Sequence, residues 1–181
     1  MRNFFTSFNF SKKQILLLSI TFLGLIGIIS YSFWSLETPV IKEKASIVEK
    51  TTADGGTIIE VKESNKQDVE IEIPLDTSEA GIQNFIHQMS HQKVIADEKW
   101  GMIPLTKERV VRLIDVVESN EDKYKKPSVY LMILNRWNLE DFTTIDKDHN
   151  TIWELQGGNI GKATGILSVD EELEFIEKYY H

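Results

Sequence analysis

TKERVVRLIDVVESNEDKYKKPSVYLMILNRW, residues 106–137, decides the fold. Thr106 stands where a helix N-cap belongs, and Val110, Leu113, Ile114 and Val117 then recur at helical spacing until Asn120. Pro127 opens a second run in the first-turn position that proline tolerates. In that run Val129, Ile133 and Trp137 fall on one side and Leu131 and Leu134 on another, so the second helix is covered on two sides and sits centrally. Two helices joined by a short polar turn pack as neighbours, and the elements around them must close the core.

Upstream, Asp76 with Glu79 has the spacing of a capping box, and Ile82, Phe85, Ile86 and Met89 form one apolar stripe behind it. Trp100, Gly101 and Pro104 make the corner that follows. Downstream, a helix is expected over residues 142–155, stopped by Gly157 and Gly158. A last one is announced by Ser168 with Glu171, a second capping box, and shows a face of Val169, Leu173, Ile176 and Tyr180. Residues 76–181 therefore read as a mainly α, compact domain of about five short helices.

Before this domain the chain changes character twice. Residues 36–75 form a charged stalk punctuated by Pro39, Asp54-Gly55-Gly56 and Pro74. Residues 57–62 and 69–73 have strand character, the latter because Val69, Ile71 and Ile73 alternate with Glu70 and Glu72. A two-stranded hairpin is marginal in water unless it packs on the helices. Residues 15–34 carry no charge at all, and 20 residues at helical rise span roughly 30 Å, the hydrocarbon thickness of a bilayer. A single transmembrane anchor over residues 15–35 is the expectation, with the bilayer as its partner. Lys12 and Lys13 abut its start, Tyr31 and Trp34 its far end. The two lysines set residues 1–14 on the cytoplasmic side and the helical domain outside the cell membrane.

Composition narrows the function classes. The chain has no cysteine, which excludes disulfides, thiolate metal sites and a catalytic thiol. All 28 acidic residues lie after Leu36 together with 17 of the 20 basic ones, so that part carries −11. Such a surface repels a phosphate backbone, and nucleic acid is not an expected partner.

Three motifs invite a chemical reading. His87-Gln88-Met89-Ser90-His91 has the histidine spacing of a zinc protease helix, but Gln88 occupies the place of the glutamate that activates water. The two imidazoles lie away from the apolar stripe and have no third ligand nearby in sequence, so a solvent-facing pair and no metal site are expected. Asp146-Lys147-Asp148-His149-Asn150 imitates the first half of a calcium loop, yet Thr151 and Gly157 occupy its turn and bidentate positions. A helix with Phe142, Ile145, His149, Ile152 and Trp153 on one side explains the segment better, with His149 at the edge of the core. Residues 157–165 lack the phosphate-loop spacing, since Gln156 stands in for its first glycine and Ala163 for its metal-binding hydroxyl.

No nucleophile, base and stabiliser fall together, and no catalytic residue or cofactor is expected. The polar groups Gln156, Asn159, Lys162 and Thr164, with His149, are the binding candidates, Lys162 being suited to a small anionic ligand. Two functional classes follow. One is a non-enzymatic binding or regulatory module tethered beside a protein partner. The other is a small-molecule-binding or hydrolytic domain with a pocket near His149 and the 157–165 segment.

The strings Met89-Ser90-His91-Gln92-Lys93-Val94, Glu98-Lys99-Trp100-Gly101 and Asp146-Lys147-Asp148-His149-Asn150, with residues 155–167, carry a further signal. Over about residues 77–181 the chain resembles an uncharacterised domain-of-unknown-function family of small membrane-anchored proteins from Gram-positive, spore-forming bacteria. The resemblance implies domain limits and a membrane location, and brings no activity, cofactor or site residue with it.

Overall fold

The computed structural model describes residues 46–51, 56–62 and 66–180. The expected anchor, residues 15–34, lies outside them. Among the described residues no helix is long and apolar enough to cross a membrane.

Six helices occur among the described residues, one more than the expected five: α1 (Lys66–Glu72), α2 (Glu79–Ser90), α3 (Lys107–Ser119), α4 (Pro127–Asn138), α5 (Ile145–Leu155) and α6 (Val169–Tyr180). Two small antiparallel sheets accompany them. One pairs β1 (Ser46–Thr51) with β2 (Thr57–Lys62), and the other pairs the two-residue strands β3 (Val94–Ile95) and β4 (Gly165–Ile166).

Local chemistry sets most of the helix limits. The Thr106 side chain accepts from the Arg109 N–H at 3.3 Å and starts α3, while Asn120 ends it. Pro127 is the first residue of α4. Ser168 and Glu171 exchange the two bonds of a capping box, the Ser168 N–H donating to the Glu171 carboxylate at 2.8 Å and the Glu171 N–H to Ser168 Oγ at 3.4 Å.

The start of α2 corrects the expectation. Ser78, not Asp76, caps it, accepting from the Gly81 N–H at 3.2 Å. Glu79 does not reach back to a cap. Its carboxylate accepts from the backbone of Lys125 and Lys126 and from the Tyr130 hydroxyl, tying α2 to the start of α4.

The core gathers Ile82, Ile86 and Met89 of α2, Leu113, Val116 and Val117 of α3, Tyr130, Ile133, Leu134 and Trp137 of α4, and Ile145 and Ile152 of α5. Helix α4 is the central one, as its two apolar sides require. Val69 and Ile73 also belong to this core, although they precede Asp76.

These two residues expose the second correction: residues 69–73 are helix and helix end, not strand. Alternation over five residues does not separate the two, because positions i and i+4 share a face in both. The middle residue separates them. A strand would place Ile71 beside Val69 and Ile73, whereas a helix turns it outward, and Ile71 is 74 % exposed while Ile73 is fully buried. Replacing Ile73 by alanine is expected to cost ~3 kcal/mol, and Ile71→Ala to stay within ~0.5 kcal/mol, both read from urea midpoints at constant m-value. Equal costs at the two positions would contradict the helix.

Strand β2 therefore pairs with residues 46–51 instead, in the register Ser46 opposite Lys62 and Thr51 opposite Thr57. The hairpin is packed: Ile59 and Val61 bury their side chains against Ile176 of α6. A buried polar knot joins this second cluster to the turn after α2. Lys93 Nζ meets the Glu172 carboxylate at 2.7 and 2.9 Å and lies 3.4 Å from the Ile59 carbonyl. Gln92 donates to Glu172 at 2.7 Å and accepts from the Leu105 N–H at 3.0 Å. Lys93, Gln92 and Glu172 thus satisfy one another within this knot, as burial demands.

Candidate metal centre

Helix α2 ends on Ser90, with His91 as its C-cap, and packs against α5. The helical spacing of His87 and His91 puts both on the side of α2 opposite Ile82. The expectation that this side faces solvent is overturned: His91 is 1 % exposed and His87 half-buried. A hydrophobic stripe marks only the apolar contact of a helix. Helix α2 has a second contact, made through Ser90 and His91, which α5 and the segment around Gly101 cover.

Across that contact stands His149 of α5, fully buried. It supplies the third imidazole that was missing in sequence. One nitrogen from each of His87, His91 and His149 lies within 4.8 Å of the other two, and His87 Nε2 is 3.0 Å from His149 Nε2. The ring centroids are 4.5 to 5.4 Å apart.

The second nitrogen of each ring is engaged. His91 Nδ1 lies 2.7 Å from the Gly101 carbonyl, an acceptor, so it carries the proton and leaves Nε2 with a lone pair. His149 Nδ1 lies 3.2 Å from Asn150 Oδ1, whose identity is set by the backbone: the Asn150 amide nitrogen donates to the Ala163 carbonyl and its oxygen accepts from the Ala163 N–H. His87 Nδ1 lies 2.6 Å from Gln156 Oε1, while the Gln156 nitrogen donates to Asn84 Oδ1 at 2.8 Å. Oxygen acceptors behind all three Nδ1 atoms favour the Nδ1–H tautomers and leave the Nε2 atoms as the candidate donors, as outer partners do for metal-binding histidines.

Burial keeps the rings neutral. It draws the His91 pKa down to about 3 and that of His149 to about 4, and lowers that of His87 as well. Lys99 lies close by, its ammonium donating to the His91 carbonyl at 2.9 Å and resting 4.5 Å from the centre of the Phe175 ring. Burial lowers its pKa to about 8.

Gly101 has a conformational requirement here. Its φ is +79°, a left-handed conformation that a residue with a Cβ adopts only under strain, so a substitution here strains the turn whose carbonyl holds His91. Gln88, the residue that removes protease chemistry, serves as the packing surface for that turn.

The candidates named from sequence divide. His149 and Gln156 belong to the cluster. Thr164 has a structural duty, its N–H donating to the Ile95 carbonyl at 2.8 Å beside the β3–β4 ladder. Lys162 is 57 % exposed, 3.7 Å from Glu154 and 5.6 Å from the Trp153 ring centre, and Asn159 is exposed. Substituting alanine at Lys162 or Asn159 is expected to change stability by no more than ~0.5 kcal/mol. A thermal-melt shift above that for either would reveal a contact absent from this arrangement. Asp148, beside His149 in sequence, is turned the other way, bound to Arg136 and to the Trp137 indole N–H at 2.9 Å.

A model of the family of unknown function DUF6241 matches residues 86–177. The chain belongs to this family. The DUF6241 match begins one residue before His87 and includes His91, Gly101, His149, Asn150 and Gln156, while β1, β2 and α1 precede it. No curated protein and no solved structure matches the chain.

Proposed function

We propose that this chain is a metal-binding module that holds one divalent transition-metal ion, zinc by preference, through Nε2 of His87, His91 and His149. The observation that carries the reading is the convergence of three neutral imidazoles whose Nδ1 atoms are all occupied by oxygen acceptors. In those tautomers His87 Nε2 and His149 Nε2, 3.0 Å apart, would both present lone pairs, a contact that a cation between them relieves. Tetrahedral zinc–nitrogen bonds of about 2.0–2.1 Å separate their nitrogens by about 3.4 Å, within the spread of this cluster. An all-nitrogen donor set suits zinc, copper, nickel or cobalt and is wrong for calcium or magnesium, which take oxygen.

The module acts by binding, with no enzymatic step assigned. Two clefts, of about 400 and 170 Å³, are lined by other residues, and neither offers a substrate chamber over the histidines. Hydrolysis at the same ion is the alternative, favoured by the half-buried edge at His87. The uncharged run at residues 15–34 supports display of the module from a membrane, outside the cell, where tethering would concentrate it near a protein partner.

Equilibrium dialysis of the full-length chain against zinc, followed by elemental analysis, tests the metal reading. One zinc per chain is expected, lost on His91→Ala or His149→Ala. Stoichiometric zinc in the His149→Ala variant would place the ion elsewhere, and none in the parent would remove the proposal.

A further inference from the structure

We infer, on the strength of that metal reading, that the loaded centre keeps its fourth coordination position for a small anion, with Lys99 as the neighbouring cation that favours it. Three donors leave a tetrahedral ion one ligand short, and the metal-binding group among the described residues contains no fourth histidine or carboxylate. The nearest carboxylate in sequence, Asp148, is held by Arg136 and Trp137.

Charge then decides what arrives. Neutral imidazoles leave both positive charges of the ion uncompensated. The Lys99 ammonium, 2.9 Å from the His91 backbone carbonyl, adds a third charge beside this ligand. An anion at the open position lowers this sum, whereas a neutral ligand leaves it in a half-dry site. Of the acidic residues, Asp97, Glu98, Glu171 and Glu174 share with Lys99 the cleft on its Phe175 side, and none of them belongs to the metal-binding group.

Access is from one side. His91 and His149 are buried, His87 is half-buried, and the groups beyond it, Gln156 and Asn84, are exposed. The Gln156 side chain spans from His87 to Asn84 across this edge. Gln156 thus partly covers this edge, and the anions that suit it are small ones such as hydroxide, bicarbonate or inorganic phosphate.

Cobalt(II) titration of the full-length chain separates this inference from the metal reading beneath it. A tetrahedral cobalt band in the visible spectrum is expected at one equivalent. Azide, bicarbonate or inorganic phosphate at constant ionic strength should then change its position and intensity saturably, at one anion per cobalt. Lys99→Met is expected to weaken the azide affinity about fivefold or more. If that variant does not fold, the titration of the parent alone decides. A tetrahedral band that ignores all three anions would overturn the open position and leave the metal site standing. No cobalt binding at all would overturn both.

Discussion

Zinc at a thousandfold excess over its dissociation constant is expected to raise the stability of the metal-free protein by ~4 kcal/mol, since a ligand that binds only the folded state adds RT ln(1 + [L]/Kd). For a folded unit of this size that corresponds to a melting temperature higher by ~12 °C. An ion held by the three histidines would join α2 to α5, whose packing the core already requires, so its binding free energy would add to folding without a new arrangement of the chain. His91→Ala and His149→Ala should melt at the same temperature with and without zinc. Gln156→Ala, which removes the acceptor behind His87, should keep the shift but need about 10–100-fold more zinc to reach it. Differential scanning fluorimetry over a zinc series reads all of these. A parent protein indifferent to zinc, cobalt, nickel and copper would end the metal hypothesis.

In the absence of metal, acid should already destabilise the domain between pH 6.5 and 4.5. In the unfolded chain a histidine takes up its proton near pH 6.5, but burial holds His91 at about 3 and His149 at about 4 in the fold. Between those values the unfolded state binds more protons, so stability is present above pH 6.5 and is lost as the pH falls. Two pH units of this slope amount to ~2.7 kcal/mol for one histidine, and the pair, close enough to interact, should lose ~4 kcal/mol together by pH 4.5.

Of the other shifted groups, His87, also lowered by burial, adds to the same slope, and the carboxylates act as follows. Glu79 has its pKa lowered by the Lys125 and Lys126 N–H groups and the Tyr130 hydroxyl against the cost of burial, and Glu171 by Ser168, so their contributions fade only below about pH 4.5. Asp148 shifts upward through burial and contributes with the opposite sign. Urea midpoints from pH 7 to 4.5 in the presence of a chelator measure the slope, and His149→Leu should flatten it by about half. A midpoint that stays level from pH 6.5 to 4.5 would mean that these imidazoles are not buried in solution.

What could be read from the sequence follows the range of the forces involved. Thr106, Pro127 and the Ser168–Glu171 pair act within one turn of chain, and the elements they start begin where local chemistry put them. Residues 69–73 were ambiguous because five alternating positions satisfy two periodicities, and only the tertiary position of Ile71 separates them. The metal centre was half legible. The spacing of His87 and His91 is a recognised ligand pattern, yet a wheel that scores apolar residues has no way to register a helix face buried through serine and histidine. The third ligand is 58 positions beyond His91 and joins the pair only through the packing of α5 on α2.

The two-residue ladder between β3 and β4 now takes on a role beyond its size. Helix ends fray, and His91 sits on one. Immediately after it, the chain leaving α2 is stitched to the chain leaving α5: Thr164 N–H donates to the Ile95 carbonyl and Leu167 N–H to the Lys93 carbonyl, each at 2.8 Å. These bonds hold both exits from the ligand-bearing helices whether or not an ion is present. The site is thus preorganised by the fold, so an ion entering it would keep more of its coordination energy as affinity than one that had to order the chain first.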